Sequence, residues 1–192
     1  MAVHLARSAD FFSFLGLPRK LNLDMADFEP RYRALSRQFH PDYFYNAAPA
    51  ERRASLEKSS YLNDAYRTLR NPISRVEYLL KLEALAPQGP EQASKQVPAG
   101  LLEEVFALNE ELDEVREQRA SGADAEVWKR RLERARQPIE AKRAEHATQL
   151  QELSARWDAT GDRAVLEALR DRILERNYII NLLAGIEREL NS

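Results

Sequence analysis

Within the run Gln38-Phe39-His40-Pro41-Asp42, an imidazole and a carboxylate stand two residues apart with a proline between them. General acid–base chemistry uses these groups, so His40 and Asp42 raise the question of a catalytic dyad. A dyad needs a third partner, a nucleophile or metal, and a pocket that excludes water. The chain has no cysteine, and its other histidines are His4 and His146. That excludes disulfides, thiolate metal sites, thiol nucleophiles and Cys ligation of an iron–sulfur cluster. No enzyme activity, no metal and no cofactor is expected. A second reading is conformational: the proline ends a helix and its neighbours cap or turn the chain. The third is a docking corner. An exposed carboxylate accepts a bidentate hydrogen bond from a partner arginine, the imidazole adds a polar group, and Pro41 limits the entropy lost on binding.

The flanking elements present this corner. Asp24 to Phe39 reads as a helix in which Phe28, Tyr32, Leu35 and Phe39 form one apolar stripe at i, i+4, i+7 and i+11. Arg31, Arg33 and Arg37 lie off it and make the solvent side basic, suited to an acidic partner. Pro30 would cost about 3 kcal/mol deep in a helix, a conflict that eases if Asp27 is the N-cap. Asp24 as N-cap implies a kink or an irregular first turn. Pro41 closes the helix at His40. The connector Asp42 to Ala48 carries Tyr43, Phe44 and Tyr45, of which at least one should fold back on the core. Pro49 starts a third helix to Arg70, with Leu62, Ala65, Tyr66 and Leu69 at helical spacing and Leu56 extending that side. The two helices form an antiparallel hairpin with the corner at its tip. Upstream, Ser8 to Leu15 reads as a short aromatic helix capped by Ser8 and stopped by Gly16. It must dock on something. Downstream, Asn71-Pro72 restarts the chain and Ile73 to Leu82 reads as a fourth helix.

Pro87, Gly89, Pro90 and Pro98 mark a linker at residues 84–99, between a domain at 1–83 and one at 100–192. The second domain reads as a three-helix antiparallel bundle. Leu101 or Leu102, Val105, Leu108, Leu112 and Val115 line the first helix. Seven acids and two bases occupy 100–119, whereas 128–143 holds seven bases and two acids. Opposite charges on consecutive helices favour their pairing, or they leave one acidic or apolar face free for a partner. Phe106 lies beside the Leu108 stripe, a candidate interface anchor. Ser121-Gly122 and Thr160-Gly161-Asp162 make turns, Pro138 should kink or divide the second helix, and the last helix buries Leu166, Leu169, Ile173, Ile180, Leu183 and Leu190.

Composition agrees with an all-α chain that builds a core: 44% of the 192 residues are hydrophobic and 31% charged. A net charge of −2 gives no reason to expect nucleic-acid binding. No run approaches the roughly 18 apolar residues of a membrane span, and no secretory leader is read at the N-terminus, so a cytoplasmic location is expected.

His40-Pro41-Asp42 after an Arg-bearing helix, followed by Asn63-Asp-Ala65-Tyr66-Arg-Thr-Leu69, resembles a J domain. Asp10-Phe-Phe-Ser-Phe-Leu-Gly16-Leu-Pro18, Leu69-Arg-Asn-Pro72 with Arg75, Tyr78-Leu-Leu80 and Asn109-Glu-Glu-Leu-Asp-Glu114 resemble the HscB family. The resemblance implies an all-α co-chaperone, an N-terminal J domain followed by a C-terminal three-helix bundle. Its implied partners are an HscA-type 70-kDa heat-shock chaperone, whose ATPase it stimulates, and an IscU-type iron–sulfur scaffold, which it delivers. His40, Pro41 and Asp42 match the stimulating motif, with Arg31, Arg33 and Arg37 on the chaperone-facing helix. Leu102, Phe106, Glu110, Glu114 and Tyr178 map onto the scaffold-binding patch. Tyr43 stands where J domains usually carry Lys, and Val105 and Ala107 replace polar residues. Alternatives are a general J protein for unfolded clients, disfavoured by the lack of a Gly/Phe-rich linker, and a helical adaptor without chaperone activity.

Overall fold

The computed structural model describes residues 10–86 and 97–191, and among these it is all-α, with no strand. The helices are α1 (Phe11–Phe14), α2 (Met25–Phe39), α3 (Pro49–Arg70), α4 (Pro72–Leu82), α5 (Leu102–Ala120), α6 (Ala125–Thr160) and α7 (Arg163–Leu190). They form two compact units. One comprises the described residues of Met1–Ala84 with Ser154–Asp162, and the other those of Leu85–Leu153 with Arg163–Ser192. The C-terminal end of α6 thus belongs to the first unit, whereas the sequence-based partition closes that domain at residue 83. Most of the expected linker, and Ser8 and His4, lie outside the described residues.

In the first unit α1 is only four residues long, and packing holds it. Phe12 is fully buried, and the Phe11 ring stacks on Tyr78 at 4.4 Å. The Phe11 N–H donates to Tyr78 Oη at 2.9 Å. Asp10 caps this helix, its carboxylate accepting from the Ser13 N–H at 2.9 Å.

Helix α2 starts one turn earlier than the Pro30 argument favours. Asp24 is its N-cap, accepting from the Ala26 N–H at 2.8 Å, so Pro30 lies in the helix interior. Asp27 sits instead in the first turn, where its charge suits the helix dipole. Burial of the stripe offsets the proline's cost. Phe28 is fully buried, and Tyr32, Leu35 and Phe39 pack against the same core with Leu62, Ala65 and Leu69 of α3.

The partners of α2 and α3 run in opposite order, as an antiparallel hairpin requires. Ser55 Oγ donates to the Phe39 carbonyl at 2.8 Å, Tyr32 Oη to Asn63 Oδ1 at 3.0 Å, and Tyr66 Oη to Glu29 Oε1 at 2.8 Å. Ser55, not Leu56, faces inward here, and Leu56 is 57% exposed.

Arg75 of α4 is buried, donating Nε to the Leu69 carbonyl at 2.6 Å and Nη2 to the Arg70 carbonyl at 3.3 Å. These are two of the carbonyls left open at the α3 C-terminus. Its Nη1 donates to the Leu21 carbonyl. The Asp158 carboxylate completes this arrangement, accepting from the Leu21 N–H at 2.6 Å and the Asn22 N–H at 2.8 Å.

In the second unit, Leu101, Val105, Leu108 and Val115 form a core with Trp128, Leu132 and Ile139 of α6 and Ile179 and Ile186 of α7. Leu101 therefore takes the inward position and Leu102 is 41% exposed. On α7 the inward isoleucine is Ile179. Ile180, expected in the core, is 38% exposed because the stripe's register places it one position round the helix. Pro138 lies within one continuous helix, so the expected division does not occur. Gly122 and Gly161 have φ of +75° and +63°, the left-handed conformation their turns need.

The acidic and basic helices pair as their charges suggest. Glu111 and Glu114 meet Arg131, and Glu104 meets Lys142 at 3.7 Å. Across α6 and α7, Arg172 donates to Gln149 Oε1 at 3.1 Å and His146 lies 3.3 Å from Glu175.

Candidate functional site

The hairpin tip is built by two opposed conformational demands. Pro41 disfavours the helical region for the residue before it, and His40 has φ −63° and ψ 128°. His40 thus ends α2 and at once caps a 3-10 turn, Pro41–Phe44. Its Nδ1 accepts from the Asp42 N–H at 3.3 Å. In the neutral ring the proton then sits on Nε2, available to an outside acceptor.

The Asp42 side chain is 86% exposed and that of His40 51%. Asp42 Oδ2 lies 3.5 Å from His40 Nδ1, so a protonated ring would pair with it. Tyr43 is 73% exposed and Tyr45 76%, whereas Phe44 is half-buried. Beside the corner is an open recess lined by Pro41, Asp42, Tyr45, Asn46, Arg52 and Leu56. Sequence reasoning missed Arg52 and Leu56 there, since helical spacing alone placed Leu56 on the core side.

The three arginines of α2 differ in what they do. Arg31 Nε donates to Asp27 at 2.9 Å, and its Nη1 donates to the Gly16 carbonyl at 2.9 Å. It braces the turn after α1. Arg33 and Arg37, one helical turn apart, are exposed and have no ion pair among the described residues.

On the second unit, Leu102, Phe106 and Glu110 are exposed at i, i+4 and i+8 along α5. Phe106 is 68% exposed, the most exposed large apolar residue of this strip. Glu114 continues the series, but Arg131 of α6 holds its carboxylate. Tyr178 is half-buried on α7 against the core, and no ring contact joins it to Phe106 among the described residues. No group of three or more ligating side chains could hold a metal among those residues. No helix there is long and apolar enough to cross a membrane.

No family model matches the chain. Two curated relatives, the co-chaperone protein HscB homologs of Vibrio vulnificus strains YJ016 and CMCP6, are each 41% identical over 115 residues. The match covers 60% of this chain and 64% of each relative's length. Chaperone HscB from Vibrio cholerae has a similar solved structure, with TM-score 0.61 and 27% identity over 95% of this chain and 98% of that one. The human co-chaperone protein HscB compares at TM-score 0.63 and 26% identity, over 95% of this chain and 82% of that one. The resemblance to HscB co-chaperones therefore holds in both sequence and fold.

Proposed function

We propose that this chain, similar in sequence and fold to HscB co-chaperones, acts as a J-domain co-chaperone in iron–sulfur cluster maturation. Its first unit stimulates the ATPase of an HscA-type 70-kDa chaperone. Its second binds an IscU-type scaffold and brings it to that chaperone. The observation that supports the first half is the corner itself: a rigidly turned His40-Pro41-Asp42 whose carboxylate is 86% exposed at the tip of a packed hairpin.

An arginine of the partner meets Asp42 in a bidentate pair, while His40 Nε2–H donates to a neighbouring acceptor. Arg33 and Arg37 speed encounter with an acidic surface, whereas the charge of Arg31, expected in the same role, is met by Asp27. The chain supplies no reacting atom. Hydrolysis accelerates because docking favours the competent conformation of the partner's nucleotide site. For the second half, the support is Phe106, an exposed aromatic flanked along α5 by Leu102 and Glu110, the composition of an interface anchor. Glu114 extends this strip one turn further along α5, and Tyr178 is assigned to the same site by the family resemblance.

The test is a chaperone ATPase assay with the chain and its His40→Gln variant. His40→Gln is expected to abolish stimulation while helicity and scaffold binding stay intact. Stimulation that survives the change would sink the docking corner.

A further inference from the structure

Between α5 and α6 the second unit carries an open groove of about 780 Å³. Its floor is apolar, formed by Leu108, Ala135 and Pro138. Val127 stands at its edge, 51% exposed. Both signs of charge line it, Arg130 and Arg134 on α6 and Glu103 on α5, with Glu103 toward the end where Glu104 meets Lys142.

Most other charges near the groove are already neutralised. Glu104 pairs with Lys142, and Glu111 with Arg131. Glu103, Arg130 and Arg134 are exposed and have no ion pair among the described residues. Two unpaired guanidiniums one helical turn apart place their Cβ atoms about 6 Å from each other. Carboxylates at i and i+2 of an extended segment, about 6.6 Å apart, match that spacing, as do carboxylates at i and i+4 of a helix. Each guanidinium offers the paired N–H donors that a carboxylate accepts bidentately. Ala107, a wall residue, directly follows Phe106, so the groove continues the exposed strip of α5.

We infer that this groove is the second half of the scaffold site. It receives a scaffold segment bearing two carboxylates against Arg130 and Arg134 and an apolar side chain on the floor. A cation of that segment faces Glu103. The inference rests on the scaffold-binding reading above. It adds that charges of both signs set the orientation in which the scaffold docks.

Titration of the full chain with an IscU-type scaffold, at about 50 and about 200 mM salt where screening differs, tests this. The variants are Arg130→Glu/Arg134→Glu, Arg130→Ala/Arg134→Ala and Phe106→Ala, each checked for an unchanged thermal transition. Charge reversal is expected to weaken binding at least about tenfold at low salt and to flatten its salt dependence. The alanine pair should do so to a lesser degree, and Phe106→Ala should weaken binding with the salt dependence retained. If both arginine variants bind like the parent while Phe106→Ala does not, the groove is refuted and the scaffold reading stands. If the parent itself does not bind the scaffold, both are refuted.

Discussion

Replacing Asp158 by alanine removes a carboxylate that holds two consecutive backbone amides. The Leu21 N–H donates to it at 2.6 Å and the Asn22 N–H at 2.8 Å. Leu21 is buried, 3% exposed, so its amide would be left without an acceptor where water does not replace it. A hydrogen bond to a charged group contributes about 1.5–3 kcal/mol. The Asn22 bond, at the surface, adds less. Burial pushes the Arg75 guanidinium below its ordinary pKa, an effect the Asp158 charge opposes. Its removal therefore leaves a buried cation less compensated. Together the loss is about 2–4 kcal/mol, a fall in melting temperature on the order of 10 °C for a chain of this size. Asp158→Asn, which keeps one acceptor oxygen, should fall between.

Calorimetry gives the magnitude, and amide exchange at Leu21 and Asn22 localises it. A loss under about 0.5 kcal/mol with both amides still protected would show instead that the Asp158 carboxylate is an ordinary exposed charge.

Two further outcomes follow from the interior of each unit. Pro30→Ala restores a backbone donor to the middle of α2 and should stabilise the chain by about 1–3 kcal/mol, read from denaturant midpoints. A loss of stability would mean that the proline ring contributes packing. His146 is 1% exposed, and among the described residues neither ring nitrogen has a hydrogen-bond partner, although Nε2 lies 3.3 Å from Glu175. Burial first, then Arg172 and Lys142, pushes its pKa down. The unfolded ring titrates near about 6.5. Stability from the neutral buried ring is thus present above that pH and lost as pH falls toward the depressed folded value. Glu175, pushed up chiefly by burial, acts in the opposite sense, losing its contribution as pH rises through its raised value. Melting temperatures of the parent should therefore drop more steeply between about pH 7 and pH 5.5 than those of His146→Gln. Parallel curves would exclude His146 as the cause.

Much of the architecture is legible along the chain because its causes are local. Pro49 and Asn71-Pro72 bound α3, and the structure places that helix at Pro49–Arg70. The stripe from Phe28 to Phe39 is an i, i+4 pattern that any amphipathic helix buries. The corner was legible because proline acts on its immediate neighbour. The charge blocks of α5 and α6 foretold their pairing, since consecutive helices joined by a short turn must lie side by side.

The remaining contacts join residues distant in sequence. Asp158 reaches amides 136 and 137 positions away, and Arg75 reaches a carbonyl 54 positions away. No spacing rule signals either. The choice of Asp24 over Asp27 as cap weighs a local proline penalty against burial on α3, and only packing evaluates the second term. Arg31 carries the same charge as Arg33 and Arg37, yet the turn at Gly16 claims it. Leu101 rather than Leu102, and Ile179 rather than Ile180, differ from their neighbours by one helical step of about 100°. Periodicity proposes such a register. The facing helix selects it, because only one of two adjacent side chains can enter a close-packed core.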